Sequence, residues 1–109
     1  MDNIGNEICK AKVTFVLHGY GWLSLTTNGL FWNKSATSLL AFGALNALTE
    51  DFVGLRLDEI SKVGKYTYFP GGGLVVVTNQ GRELKFAFKH KKDFNTIYDY
   101  LTKIVRERN

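Results

Sequence analysis

The residues best suited to chemistry in this 109-residue chain are the basic side chains gathered between positions 82 and 92. Residues 1–81 carry six basic and six acidic side chains, and residues 93–109 carry three of each. The excess behind the net charge of +4 therefore lies in eleven residues, where Glu83 is outnumbered by Arg82, Lys85, Lys89, Lys91 and Lys92, with His90 beside them. Such a cluster can bind phosphates or anionic lipid head groups, with about 1 kcal/mol per basic residue near an anionic leaflet. The alternative is a solvated strand edge, kept charged to discourage pairing with other strands.

The remaining reactive residues form no catalytic or metal-binding pattern. His18 and His90 have no Cys, Asp or Glu at metal-ligand spacing, and Cys9 has no charge-relay pattern around it. The acidic pairs at 50–51 and 58–59 are adjacent in sequence, so on a strand their side chains point apart and cannot share general acid and base roles. We therefore predict that the protein is not an enzyme and that it has no metal or cofactor.

Two further patterns argue against phosphate loops and nucleic acid. The glycines of Pro70-Gly71-Gly72-Gly73 precede a Val-rich strand, whereas a phosphate loop needs a helix N-terminus or a Lys-Ser/Thr pair there. We predict a turn at these four residues. The sequence also disfavours a nucleic-acid partner, because the aromatic residues that could stack on bases are not interleaved with the basic run: Trp22, Trp32, Tyr66 and Tyr68.

Length and composition indicate one domain over residues 1–109, with a core at about 8–106. Hydrophobic residues make up 45% of the chain and aromatic residues 14%, enough for a packed interior. No run of about 18 apolar residues could span a bilayer. The polar, acidic N-terminus is unlike a signal peptide, and the single cysteine fits a reducing compartment. We expect a cytoplasmic protein, with peripheral membrane attachment left open.

Hydrophobic alternation predicts seven short strands. Residues 10–17 alternate, with Ala11, Val13, Phe15 and Leu17 facing inward. Asn28-Gly29 predicts a type I′ hairpin turn, because both residues tolerate positive φ. Asn79-Gln80-Gly81 predicts a second hairpin turn before the alternating residues 84–88. The predicted core comprises Val13, Phe15, Leu23, Leu25, Leu55, Leu57, Val76, Leu84, Phe86, Ile97 and Leu101.

Two segments predict helices. Asp93 can cap a C-terminal helix with one apolar stripe, formed by Phe94, Ile97, Tyr98, Leu101, Ile104 and Val105. Residues 35–50 predict an inserted helix that lies over the sheet through Leu39, Leu40, Ala44 and Ala47. Phe42 and Leu45 then fall on its opposite side, where they could contact a partner subunit or a membrane; packing into the same monomer is the alternative.

The order of three degenerate motifs resembles a GRAM domain of the pleckstrin-homology-like superfamily. The first motif comprises Gly21, Leu23, Leu25, Thr26, Leu30 and Trp32. The second is Leu57-Asp58-Glu59-Ile60 with Val63, and the third is the hairpin from Leu74 to Phe88. The resemblance covers about residues 13–105 and implies a seven-stranded, two-sheet antiparallel barrel capped by a C-terminal helix. The helical insert at about 35–50 departs from the family.

The resemblance implies a binding role, because family members include both membrane-lipid binders and protein-binding modules. Our leading hypothesis is a non-catalytic module that docks a protein partner, with self-association as a homodimer through Phe42 and Leu45 as one form. The alternative is a peripheral membrane binder that recognises anionic lipid through the basic cluster at 82–92. A small-ligand-binding or catalytic domain would need a pocket that the sequence does not reveal.

Overall fold

In a computed structural model, which describes residues 5–35 and 52–108, the chain is mainly β with a C-terminal helix. The strands are β1 (Glu7–Phe15), β2 (Gly19–Thr26), β3 (Gly29–Lys34), β4 (Phe52–Arg56), β5 (Ile60–Tyr66), β6 (Gly72–Thr78) and β7 (Glu83–Phe88). A short 3-10 helix, Leu57–Glu59, joins β4 to β5, and helix α1 spans Lys91–Arg108. The predicted insert at 35–50 lies outside the described residues, apart from Ser35, and so do Phe42 and Leu45.

The seven strands form one antiparallel sheet in the order β4-β3-β2-β1-β7-β6-β5. In the described part of the chain, β4 and β5 are the two edges and do not pair with each other, so the sheet is not closed. The predicted antiparallel strands are confirmed, whereas their division into a two-sheet barrel is not. Helix α1 packs mainly against β5 and also contacts β1 and β6.

The core lies between the inner face of the sheet and α1. Nine of the eleven predicted core residues are buried, and Ile97 and Leu101 of α1 are fully buried. The other two, Leu55 and Leu57, are partly buried and pack against the core from its margin. The predicted stripe of α1 is confirmed, since its residues are buried or half-buried as far as Val105.

The predicted inward orientation of Leu17 is wrong, because this residue is 88% exposed. β1 ends at Phe15, and the chain reverses over residues 16–18 with a hydrogen bond from the His18 N–H to the Phe15 carbonyl. Leu17 has a φ of 73° in that turn, so its side chain no longer follows the strand alternation.

The predicted turn after β2 is in place, but its type is wrong. Neither Asn28 nor Gly29 has a positive φ. The loop residues are Thr27 and Asn28, and the Thr26 hydroxyl accepts hydrogen bonds from the N–H groups of Asn28 and Gly29 at 3.1 and 3.2 Å. Gly29 already belongs to β3, where a Cβ would come within 2.1 Å of the Leu55 carbonyl oxygen. Glycine is needed there for the close approach of β4.

Two other boundaries differ from the prediction. Gly72 and Gly73 are part of β6 rather than of the turn, which is shorter than the four residues expected. Helix α1 begins at Lys91, so Asp93 lies inside its first turn and is not the residue that precedes it. An acidic side chain in that turn still complements the helix dipole.

Candidate functional site

A groove of about 630 Å³ lies on the outer face of the sheet, across β7, β1 and β2. We call it the aromatic groove and define it by Lys12, Thr14, Tyr20, Trp22, Tyr68, Ala87 and Lys89, all of which line it. Outward-facing residues of neighbouring strands form its floor in two rows. Thr14 of β1 pairs with Ala87 of β7 and with Tyr20 of β2. In the next row, Lys12 pairs with Trp22, and the Lys89 N–H donates to the Lys12 carbonyl.

Small residues in the middle of the floor create the depth of the groove. Glu83 and Lys85 of β7, and Lys89 just beyond its end, are exposed, whereas the outward-facing Ala87 is only 5% exposed. Beside Ala87 in the next strand is Gly73, which is covered by the ring of Tyr66. A larger side chain at position 87 would fill the space that the groove occupies.

Exposed aromatic residues form two opposite walls. Tyr20 and Trp22, on alternate positions of β2, are 51% and 37% exposed. On the other side Tyr68, 45% exposed, stands in the turn between β5 and β6 with Pro70 close to it. Aromatic rings held by a strand and a short turn lose little conformational entropy on binding, so they are effective contact surfaces.

The charges lining the groove are all positive. Among the described residues that line the groove, only Lys12 and Lys89 are charged, and none is Asp or Glu. The ammonium groups of Lys10 and Lys12 lie 5.0 and 5.3 Å from the centre of the Trp22 ring, as cation–π contacts. The groove therefore combines apolar ring surface with a local positive field, which suits an anionic ligand with an apolar part.

The structure divides the predicted basic cluster into two groups. Arg82 and Lys85 lie at the start of β7, and Lys89 lies beyond its end, so roughly 23 Å of strand separates Arg82 from Lys89. Lys89, His90, Lys91 and Lys92 form one exposed group where β7 passes into α1. The six residues therefore do not form a single patch.

The group at the start of β7 lies near a second, smaller depression of about 290 Å³, beside the turn between β1 and β2. Here His18 stacks on Phe15 with ring centres 4.3 Å apart. Partial burial lowers the pKa of His18, and the positive charges of Arg82 and Lys34 lower it further. Lys85 pairs with Glu83 at 3.8 Å, which reduces the positive field of this group.

The group beyond β7 lies next to an exposed apolar turn. Phe69 is 79% exposed between Tyr68 and Pro70. This turn abuts the start of α1, because a Cβ on Gly71 would come within 2.8 Å of the His90 backbone nitrogen. An exposed phenylalanine and four basic or titratable side chains therefore share one end of the molecule.

Cys9 occupies a structural rather than a reactive environment. Its thiol lies 3.9 Å from an Asp93 carboxylate oxygen, which links β1 to the first turn of α1. Burial raises the pKa of Cys9, and the nearby charges of Asp93 and Glu7 raise it further, so the nucleophilic thiolate is disfavoured. Within residues 5–35 and 52–108, no group of three His, Cys, Asp or Glu could hold a metal ion. No helix of this part is long and apolar enough to cross a membrane.

Sequence reasoning missed most of the aromatic groove. It identified Lys89 and noted that Trp22 and Tyr68 lie far from the basic run in sequence. It did not predict that all three line one groove in the folded protein. In the structure Lys10 and Lys12, which lie outside that basic run, contact Trp22. One signal was available: Ala87 interrupts the polar outward positions of β7. Comparison with models of known protein families, and with curated protein sequences, finds no match to this chain.

Proposed function

We propose that this chain is a non-catalytic binding module with a pleckstrin-homology-like fold, similar to GRAM domains, that docks a partner protein through the aromatic groove. The observation that carries the proposal is the groove itself: exposed aromatic rings on two sides of a floor whose centre, at Ala87 and Thr14, has small side chains. Aromatic residues are enriched at the energetically important centres of protein interfaces. A single antiparallel sheet with a C-terminal helix on its inner face is compatible with the fold proposed. A cytoplasmic location is part of the same proposal.

The test compares partner capture by matched variants. Immobilised wild-type protein and the variants Tyr68→Ser and Lys103→Glu are exposed to a lysate of the source organism, and bound proteins are quantified. Tyr68 is a groove wall, whereas Lys103 is exposed on α1, away from the groove. We expect at least one protein retained by wild type and Lys103→Glu to be lost with Tyr68→Ser. Equal retention by all three baits would exclude the groove as the docking surface.

The exposed Phe69 favours a second candidate function, peripheral binding to anionic membranes. Membrane-bound proteins often insert an apolar side chain beside basic residues that contact lipid head groups. Lys89, Lys91 and Lys92 would supply about 3 kcal/mol together at an anionic leaflet, on the order of a hundredfold in affinity. The first turn of α1 adds the positive end of the helix dipole.

Vesicle sedimentation tests this candidate, and the division of the basic cluster provides the control. Lys89→Gln/Lys91→Gln/Lys92→Gln should abolish sedimentation with phosphatidylserine vesicles, and Phe69→Ser should weaken it. Arg82→Gln/Lys85→Gln, at the opposite end of β7, should leave it unchanged. Equal binding to neutral and anionic vesicles, or to neither, would remove lipid as the ligand.

A further inference from the structure

We propose that the occupant of the aromatic groove is a short, extended, acidic segment of the partner protein, which places an apolar side chain over Ala87 and Thr14 and carboxylates on Lys12 and Lys89. This inference rests on the proposed function and specifies its ligand. It is argued from the shape of the floor, the charge of the lining and the aromatic walls.

The floor admits an extended chain because its centre lacks large side chains. Ala87 and Thr14 are paired neighbours on β7 and β1, and both lie between the Tyr68 wall and the Tyr20 wall. A side chain that descends between these walls would contact Ala87 and aromatic rings on two sides. Burial of one large apolar side chain is the usual anchor of a peptide in a groove.

The charge of the lining selects the sign of the segment. The backbones of Lys12 and Lys89 are neighbours, because the Lys89 N–H donates to the Lys12 carbonyl, and both side chains line the groove. Lys10, two residues before Lys12, extends the positive field along the Trp22 ring. Because none of the described residues that line the groove is Asp or Glu, acidic side chains of a partner would be attracted by its lysines and repelled by no lining carboxylate.

The same contacts favour a peptide over a nucleic-acid strand. A single strand binds through bases stacked on open aromatic faces and through a continuous track of cations along its phosphates. Here two ammonium groups already lie over the Trp22 ring, and a base stacking there would compete with them. Only two lysines are among the described residues that line the groove. Two cations are too few to follow the phosphates of a nucleic-acid strand, but they are enough to bind two carboxylates.

Selection from a displayed library of random 12-residue peptides, followed by titration of synthetic peptides from the enriched sequences, tests the proposal. Enriched peptides should combine Asp or Glu with an aromatic or aliphatic residue. Their dissociation constants should rise on the order of tenfold or more with Lys12→Glu/Lys89→Glu and with Tyr68→Ser. The matched charge reversal Lys62→Glu/Lys103→Glu, at two exposed lysines outside the groove, should leave them unchanged. Circular dichroism and thermal unfolding confirm that each variant is folded.

Three results would overturn the inference, and they separate it from the proposed function. Peptides that bind every groove variant as well as wild type would locate protein docking on another surface, so the chain would remain a binding module but the aromatic groove would lose its proposed role. If the enriched peptides lack acidic residues but still depend on the groove, the groove would remain the docking surface, and its preference for acidic segments would be refuted. A third result would be that no peptide is enriched, while a fluorescent 12-residue oligothymidylate or phosphatidylserine vesicles bind in a way that depends on Lys12 and Tyr68. That result would assign the groove to another class of ligand.

Discussion

The ring of Tyr66 on β5 lies directly over Gly73 of β6, its cross-strand partner, and a Cβ on Gly73 would come within 2.3 Å of that ring. Gly73 in turn pairs with Ala87, the floor of the aromatic groove. An aromatic ring that covers a strand glycine stabilises the pair. The absence of a side chain at position 73 is therefore a packing requirement rather than a turn signal.

Gly73→Ala should destabilise the protein by about 1–3 kcal/mol, because the added methyl group must displace the Tyr66 ring. Gly64→Ala is the matched control: the nearest atom to a Cβ there is the Val75 Cβ at 3.9 Å, an ordinary contact. We expect Gly64→Ala to change the free energy of unfolding by no more than about 0.5 kcal/mol. Urea denaturation measures both, and equal stability of the two variants would refute the packing role of Gly73.

Gly29→Ala should be more damaging than a substitution in a true glycine turn. Its Cβ would collide with the Leu55 carbonyl oxygen, which is backbone and cannot move without separating β3 from β4. Gly81→Ala is the comparison, since Gly81 has a φ of +88° and no atom within 4 Å, which leaves only backbone strain of about 1–2 kcal/mol. In thermal unfolding, the melting temperature of Gly29→Ala should be lower than that of Gly81→Ala. The reverse order would contradict the close approach of β3 and β4.

Cys9 should react slowly with iodoacetamide, and its rate should rise only at a pH above that of an ordinary thiol. Burial is the main cause of its raised pKa, and the Asp93 carboxylate adds to it. Asp93→Asn removes that charge, so it should lower the pKa and accelerate alkylation. Asp99→Asn, at an exposed position of α1 further along the helix, should not. An unchanged rate in Asp93→Asn would show that this carboxylate does not influence the thiol.

His18 should make the stability of the protein depend on pH in the mildly acidic range. Burial lowers its folded-state pKa below the ordinary value of 6.5, and Arg82 and Lys34 lower it further. The stability that neutral His18 contributes is fully present at a pH above the ordinary pKa of histidine. It is lost as the pH falls through the lowered pKa of His18 in the folded protein. His18→Gln should flatten the pH dependence of the unfolding free energy there, and His90→Gln should retain it. A profile unaffected by His18→Gln would exclude this histidine as its source.

Much of the architecture could be predicted because it depends on local periodicity. The alternation in β1, β2 and β7 and the stripe from Phe94 to Val105 place apolar side chains on one face of each element, whatever the final topology. The failures occur where the chain leaves a regular element. Leu17 continues the alternation in sequence, but the turn ends the strand before it. Gly29 carries a turn signature, although its role is set by a strand that arrives more than twenty residues later.

The sequence by itself determined which residues face inward, where the C-terminal helix lies and where the positive charge is concentrated. Only the tertiary structure decided which outward-facing residues become neighbours. Pairing of β1 with both β2 and β7 brings Trp22, Lys12 and Lys89 into one row, although they are up to 77 positions apart in the chain. The same pairing separates Arg82 from Lys89, because an extended strand carries residues close in sequence to opposite ends of the sheet. Periodicity specifies the face of a side chain, whereas the register between distant strands specifies its neighbours, and a binding site is made of neighbours.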